Sequence, residues 1–430
     1  MKQLNCKTRT ILAMAAKRRE DKMQIRTQYH RALAACRPLA LFTIMTLAPA
    51  LATAQQLSPL FGNSAGAIKS VAAVQVAQDQ FVTAVINGGG HLEVIAWRAN
   101  LRTNRLAREN SSVAGKVISS AGEAGAIAIS SPYALDAGVS GAFTTAMVNV
   151  HGYLDISYWE VSTSGAISLI SEIQGDAAFY GSPDVSVTSV YNAKGYPSFM
   201  TAMSNSAGDL EVSLWSLNSS NQIQLGSTAY AGAIGGVSIA CLHDSNYEVV
   251  TAVQDGGGYL ELIQWLYGTG TVVRGSSTYT STPADNISVI SGIVDFGGSS
   301  FSNAFYTGLV DPSNGAAYFS AWNQDLDVQT TGGPYEVTPW NVLAARQTTL
   351  IMADTPPNGG GAYYLRVFDQ LGNGIVTGSY GEYASVYSIA MVDISSFDYV
   401  TFAVAYRNSA GDLQIQVWQY VLACSPNCEG

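Results

Sequence analysis

The chain has 430 residues and a mass of 45.3 kDa, with 31 acidic against 21 basic residues and a net charge of −10. An acidic surface repels phosphate backbones, which sets nucleic acid aside as a partner.

The first segment reads as a targeting sequence. Residues 38–54 are PLALFTIMTLAPALATA, preceded by Arg26, Arg31 and Arg37. A basic stretch, a short apolar run and a small-x-small end at Ala52-Thr53-Ala54 predict a secretory signal peptide over residues 1–54, cut after Ala54. The basic stretch before Met23 is long for such a signal, which makes Met23 an alternative start. LAAC at Leu33–Cys36 resembles a lipoprotein cleavage box, but its apolar run follows the cysteine instead of preceding it. No other segment is long and apolar enough to cross a bilayer. Residues 55–430 are therefore expected to form a single exported domain, secreted or periplasmic, with no transmembrane anchor and a short C-terminal tail. Residues 1–54 hold 10 of the basic and two of the acidic residues, so the remainder has 11 and 29 and a net charge of −18.

Beyond residue 55 one phrase recurs seven times. It reads FVTAVINGGGHLEVIAW at Phe81–Trp97, AFTTAMVNVHGYLDISYW at Ala142–Trp159 and SFMTAMSNSAGDLEVSLW at Ser198–Trp215. It returns as VVTAVQDGGGYLELIQW at Val249–Trp265 and FYTGLVDPSNGAAYFSAW at Phe305–Trp322. A degenerate copy, LIMADTPPNGGGAYYLRVF, ends at Phe368, and TFAVAYRNSAGDLQIQVW ends at Trp418. Each copy predicts two strands around a turn rich in Asn, Asp, Gly and Ser, residues that accept the positive φ angles of hairpin turns. Leu210, Val212 and Leu214 point one way, and Glu211, Ser213 and Trp215 the other. Both faces carry apolar bulk, so both are at least partly covered.

Two further strands flank each hairpin. Before it runs a stretch of small and β-branched residues, such as VSVTSVYN, VSIACL or YSIAMVDI; after the Trp comes a more polar strand, such as AISLISEI or TVVRGSSTY. Four strands in about fifty residues is the size of one propeller blade. The fold class is thus all-β, a seven-bladed β-propeller of four-stranded blades. After Trp418 too little chain remains for an outer strand, yet QLSPLFGNSAGAIKSVAAVQV at Gln56–Val76 aligns with QIQLGSTAYAGAIGGVSIACL at Gln222–Leu242. Residues near Gln56–Phe61 are expected to complete the seventh blade, which removes an open sheet edge. The small residues Ala84, Ala146, Ala202, Ala252, Gly308, Ala353 and Ala403 read as close packing between sheets. The Trp column (Trp97, Trp159, Trp215, Trp265, Trp322 and Trp418) reads as core between blades rather than as sugar-stacking platforms.

These hairpin-plus-Trp repeats resemble those of bacterial seven-bladed β-propeller lectins, which also pair a G-x-L turn with aromatic residues. The resemblance implies a sugar-binding protein with several pockets between blades. WD repeats do not fit, because no Trp here is followed by Asp, and the sialidase box S-x-D-x-G-x-x-W is absent.

Chemistry-bearing motifs are sparse. Arg98, Arg102, Arg105 and Arg108 cluster between Trp97 and Glu109, as a solvated loop rather than an anion spot. Cys424 and Cys428 bracket Ser-Pro-Asn and are spaced for a small disulfide loop in an exported protein. A metal site is the rival reading, weakened by the lack of a nearby His. Cys241 lies in an apolar strand and reads as a buried thiol. His91 and His151 fall at adjacent hairpin turns, and His243 follows a first strand, at the opposite end. GNSAG at Gly62–Gly66 matches G-x-S-x-G, but a strand rather than a helix follows, so it is turn chemistry and not a nucleophile elbow. Glu93, Asp155, Glu211 and Glu261 recur in the third strand as part of the repeat. A paired-carboxylate glycosidase needs two acids converging on one cleft, which spacing alone does not show. Asp255 and Asp311 in Gly-rich turns match no calcium-binding loop.

The expectation is a lectin-like binding protein for an extracellular glycan or other small polar ligand, with no cofactor and no metal. Repeated pockets suit binding, since equivalent sites arise with equivalent blades. Asn205, Asp209, Asn408, Asp412, Arg407, Tyr153 and Tyr259 are the candidate ligand-binding residues, set at or beside hairpin turns where a rigid scaffold presents loops. One alternative is a propeller hydrolase or lyase with a single site in the central funnel. The fifth and sixth repeats, with Trp340, Arg346, Asp354 and Arg366, are the place to look for it. A protein-interaction scaffold is the second alternative.

Overall fold

The computed structural model describes residues 56–421 apart from 117–126, 133–140, 180–183, 191–196, 243–246, 269, 297–298, 337–340, 347–348, 355–362, 369–373, 381–388 and 395–399. All described residues lie in the unit Thr53–Gly430. His243, Trp340, Cys424 and Cys428 fall outside them, as does the signal segment.

The described residues are all-β. The long strand β1 (Gln56–Ala77) is followed by β2 (Gln80–Asn87), β3 (His91–Asn100) and β4 (Arg105–Lys116). Next come β5 (Ile127–Ser130), β6 (Ala142–Val148), β7 (Tyr153–Val161) and β8 (Ile167–Ala177). Then follow β9 (Val185–Val190), β10 (Ser198–Ser204), β11 (Asp209–Leu217), the long β12 (Ile223–Cys241), β13 (Glu248–Asp255), β14 (Tyr259–Leu266) and β15 (Val273–Pro283). β16 (Asp285–Phe296), β17 (Ser299–Asp311), β18 (Ala316–Trp322) and β19 (Val328–Glu336) precede β20 (Asn341–Arg346), β21 (Thr349–Asp354), β22 (Tyr363–Phe368) and β23 (Gly374–Tyr380). β24 (Ile389–Asp393), β25 (Val400–Arg407) and β26 (Asp412–Val421) end the series.

Every pairing is antiparallel. β5–β8, β16–β19 and β20–β23 each make a four-stranded meander. The other two sheets are seven-stranded, in the orders β24-β25-β26-β1-β2-β3-β4 and β15-β14-β13-β12-β11-β10-β9. In both, one long strand serves two meanders. The first half of β12 pairs with β11 and its second half with β13. Gln56–Ala67 of β1 pairs with β26, and Ile68–Ala77 pairs with β2. This arrangement is consistent with a propeller-like fold. The N-terminal pairing runs past the expected Gln56–Phe61, because the bulges at Pro59/Phe61 and Ala65/Ala67 let the strand follow β26 through to the hairpin turn. GNSAG lies inside this strand, with no helix after it.

Faces pack on faces. β6 and β10 are buried at every position, while β8 and β15 are mostly exposed or half-buried. Each hydrophobic cluster joins two neighbouring meanders. Phe143 and Trp159 of one meet Val82, Ala84 and Val94 of the one before, and Phe199 and Trp215 meet Ala146, Leu154 and Ile156. The small column is fully enclosed at Ala84, Ala146, Ala202, Ala252 and Ala403. In five hairpins the Trp indole N–H donates to a buried threonine hydroxyl across the hairpin: Trp97 to Thr83, Trp159 to Thr145, Trp215 to Thr201, Trp265 to Thr251 and Trp322 to Thr307, all at 2.9 Å. A buried indole N–H without an acceptor costs about 1–3 kcal/mol, so the threonine is what lets the ring be enclosed.

The first strands of successive meanders lie side by side, β1 by β5, β5 by β9, β9 by β12, β12 by β16, β16 by β20, β20 by β24 and β24 by β1. Side chains of one cap backbone N–H groups of the next. Ser130 Oγ accepts from Ser189 N at 2.7 Å; Asp184, Ser186 and Thr188 accept from Val237, Ile239 and Cys241 at 2.9, 3.2 and 3.1 Å; Ser238 accepts from Val289 at 3.0 Å. These amides have no strand partner on that side, and buried amides must find an acceptor. The Ser and Thr content of the first strands supplies it.

Candidate functional site: the hairpin turns and the third-strand acids

The turn between second and third strands is one structure repeated. An Asn or Asp side chain accepts two backbone N–H groups, folding the turn over itself. Asn205 Oδ1 accepts from Ala207 at 2.9 Å and Asp209 at 3.1 Å; Asn408 Oδ1 accepts from Ala410 at 3.0 Å and Asp412 at 2.9 Å. Asn149 holds His151 and Tyr153 at 2.9 and 3.2 Å, and Asp255 holds Gly257 and Tyr259 at 2.8 and 2.9 Å. Asn87 does the same with Gly89 and His91. The residue three places on is a glycine at positive φ, from 80° to 88° in Gly90, Gly152, Gly208, Gly258 and Gly411. A side chain there would be strained. The carbonyls of Gly152, Gly208, Gly258 and Gly411 then accept from Ala178, Ile234, Ala284 and Ile68, on the strand crossing to the next meander. These four turns are thereby fixed on both sides.

The sequence-derived candidates sort into two columns of this motif. Asn205 and Asn408 are the residues whose side-chain oxygens hold the turn. Tyr153, Asp209, Tyr259 and Asp412 all occupy the position after the glycine, as does His91. Tyr153 and Tyr259 are 42% and 43% exposed there. The Tyr259 ring folds back over its turn, 3.3 Å from where a Cβ on Gly257 would stand. Arg407 ends β25, its guanidinium over Gly411, with Nη2 3.5 Å from the corresponding Cβ point. Phe179, which follows the crossing residue Ala178, packs its partly exposed ring on Gly208. The candidates are distributed over four separate turns, one to three to a turn, rather than gathered at one point.

The third-strand acids are set in unlike surroundings. Glu93 pairs with Arg108 at 3.0 Å and Glu261 with Arg274 at 2.8 Å. Asp155 accepts from Asn149 at 2.9 Å. Glu211 is only 4% exposed, and Ser213 Oγ donates to its Oε1 at 3.4 Å. Burial, and then the negative charge of Asp176 on β8, push the Glu211 carboxyl up to about 7, against a smaller opposing effect of the Ser213 bond. Burial and then Asp155 raise Glu172 as well. Among the described residues no group of three or more His, Cys, Asp or Glu side chains is placed to hold a metal ion.

Two arginines of the cluster are engaged in ion pairs. Arg98 reaches Glu109 at 2.6 Å, Asp79 at 3.1 Å and the Thr163 carbonyl at 2.6 Å, and Arg108 is on Glu93. The Cys241 thiol is buried near the Tyr267 hydroxyl. Sequence reasoning missed the threonine column, although Thr83, Thr145, Thr201, Thr251 and Thr307 each directly precede the small residue that it singled out.

No family model and no curated protein matches the chain. Among solved structures it is similar to Sqt1 of Saccharomyces cerevisiae, at 10% identity and a TM-score of 0.48 over 86% of this chain and 100% of that one. It is similar to AofleA of Arthrobotrys oligospora, at 10% identity and 0.47 over 86% and 94%. It is also similar to the SapL1 lectin, solved in complex with alpha methyl fucoside, at 14% identity and 0.47 over 73% and 95%. No helix among the described residues is long and apolar enough to cross a membrane.

Proposed function

We propose that residues 55–430 form an exported, closed ring of seven four-stranded blades that binds an extracellular ligand, carbohydrate foremost, along the rim of hairpin turns. The doubling of β1 and β12 and the return of β24 to β1 support the ring. The observation that carries the binding reading is the position after the turn glycine. It recurs on a turn locked by two side-chain bonds and a crossing-strand bond, and it bears Tyr153, Tyr259, Asp209 and Asp412. A Tyr ring stacks on the apolar face of a sugar, and a carboxylate accepts hydroxyl protons. A pre-fixed turn spends little ordering entropy when a ligand arrives. In this reading Asn205 and Asn408 act through the turns that they hold, and Arg407 flanks the seventh.

The test is a glycan array on the purified chain, followed by retention of the Tyr153→Ala and Asp209→Ala variants on the best glycan. Weaker retention with an unchanged unfolding midpoint is expected. Absence of any glycan binder, together with turnover of a substrate in a hydrolase screen, would replace this reading with the funnel enzyme.

A further inference from the structure

Where the chain passes from one meander to the next, four residues turn inward and donate their N–H to a turn glycine: Ala178, Ile234, Ala284 and Ile68. Ala178 is 5% exposed and belongs to the core shared by the second and third meanders. Successive residues of an extended chain point to opposite sides, so its two neighbours point outward. The residues after the inward ones are Phe179, Gly235, Asp285 and Lys69, and all four are exposed. Those before are Ala177, Ala233, Pro283 and Ala67. Each of these stands opposite the residue that follows a turn glycine: Tyr153, Asp209, Tyr259 and Asp412 in turn.

Each passage thus presents three outward residues in a row. From the second meander to the third they are Tyr153, Ala177 and Phe179, two aromatic rings on either side of an alanine. Of the four passages it is the one with two aromatics; that from the fourth to the fifth has Tyr259 with Pro283 and Asp285. Tyr153 is 42% and Phe179 39% exposed, whereas Phe81, Phe143, Phe199, Phe305, Phe319 and Phe402 are at most 2% exposed. The Phe179 ring lies 3.8 Å from the point where a Cβ on Gly208 would stand, and Asp209 is next in the chain. The same point on Gly152, beside Tyr153, meets no atom within 4 Å other than those of its chain neighbours. The third turn is covered by its aromatic ring, while the place next to Tyr153 stands open.

We propose that Phe179 is a ligand-binding residue, and that Tyr153, Ala177 and Phe179 form a subsite for one pyranose ring with an apolar C–H face, held by the two aromatic rings. Residues set diagonally across paired strands are about 7–8 Å apart. Rings at that separation leave room for one sugar ring making carbon contacts of about 3.5–4 Å with each. Ala177 keeps the space between them clear, and Asp209, beside the glycine under Phe179, is the adjacent acceptor for hydroxyl protons. The proposal rests on the carbohydrate reading above and narrows it. The ligand must be a closed sugar ring, because an open-chain polyol has the hydroxyls without the flat C–H face that aromatic rings stack on.

The probes are the methyl pyranosides of galactose, glucose and mannose, with sorbitol as the open-chain control. Saturation-transfer NMR on the full chain should show at least one pyranoside bound, its ring C–H protons most strongly saturated, and no binding of sorbitol. Phe179→Leu keeps an apolar side chain and removes the ring; it should weaken that binding about fivefold or more, while Phe179→Tyr leaves it near the wild-type value. Ala177→Gln sets a side chain between the rings and should abolish binding with both rings in place. Thermal unfolding of each variant identifies any that fails to fold, and the Phe179 pair decides the matter if Ala177→Gln does. Pyranoside binding unchanged in Phe179→Leu, or equal binding of sorbitol, would overturn the subsite and leave the carbohydrate reading of the turns standing. No binding of any pyranoside, together with an empty glycan array, would overturn both.

Discussion

Glu211 makes the stability of this protein depend on pH in a direction opposite to that of most carboxylates. Its side chain is buried on β11, the negative charge of Asp176 on β8 acts on it, Tyr230 stands opposite on β12, and it has a single long bond from Ser213. Its proton is therefore held up to about 7, against 4.5 for an ordinary glutamate. Below 4.5 the carboxyl is protonated both folded and unfolded, and the environment costs nothing. As pH rises from 4.5 towards 7 the unfolded chain loses the proton first, so folding becomes progressively less favourable; above 7 both forms are ionised and the loss is complete. At about 1.36 kcal/mol per pH unit the loss is roughly 3 kcal/mol. Glu211→Gln keeps the size and an oxygen for Ser213 while removing the titration. Urea unfolding of both proteins at pH 4.5, 6 and 8 should give nearly equal stabilities at the lowest pH and a variant more stable by roughly 2–3 kcal/mol at the highest. A difference between the two proteins that stays constant across that range would refute the reasoning.

Other contacts predict equally definite outcomes. Thr251→Val keeps the shape of the threonine and removes the acceptor for Trp265, so urea unfolding should show a loss of about 1–3 kcal/mol; a loss under about 0.5 kcal/mol would mean that the indole finds another acceptor. Ser186→Ala should speed hydrogen exchange at the Ile239 amide, which bonds the Ser186 hydroxyl, and leave the Cys241 amide on Thr188 less affected. Deleting residues 55–66 strips β26 of its β1 partner over nearly its whole length, leaving that edge open, and should lower the melting temperature and promote aggregation far beyond ordinary terminal trimming. Tyr259→Ala should weaken glycan retention as Tyr153→Ala does, with the unfolding midpoint little moved, because both rings are partly exposed at the turn surface rather than part of the core.

What the sequence reveals here depends on how far a residue's role is settled by its own hairpin. The turn residues, the enclosed small column and the buried Trp all recur because each hairpin repeats one local solution, so a pattern of seven phrases exposes them. The pairing of Gln56 onwards with β26 is legible for the same reason: it reuses the outer-to-first-strand passage seen again in β12. The threonine under five of the Trp was equally visible, but its meaning was not. Thr83 and Trp97 are fourteen residues apart, and only the register that sets Phe81 opposite Trp97 brings the hydroxyl to the indole.

Glu211 marks where such reading ends. In the phrase it is interchangeable with Glu93 and Glu261. What separates it from them is a leucine on β12 in place of an arginine, and an aspartate from a different sheet. Neither belongs to the phrase. A repeat makes its members alike along the chain, while the face of one sheet against the next makes them different. The chemistry that distinguishes one meander from its sisters is therefore concentrated between sheets, and the charge of Asp176 acting on buried Glu211 is the clearest such case among the described residues.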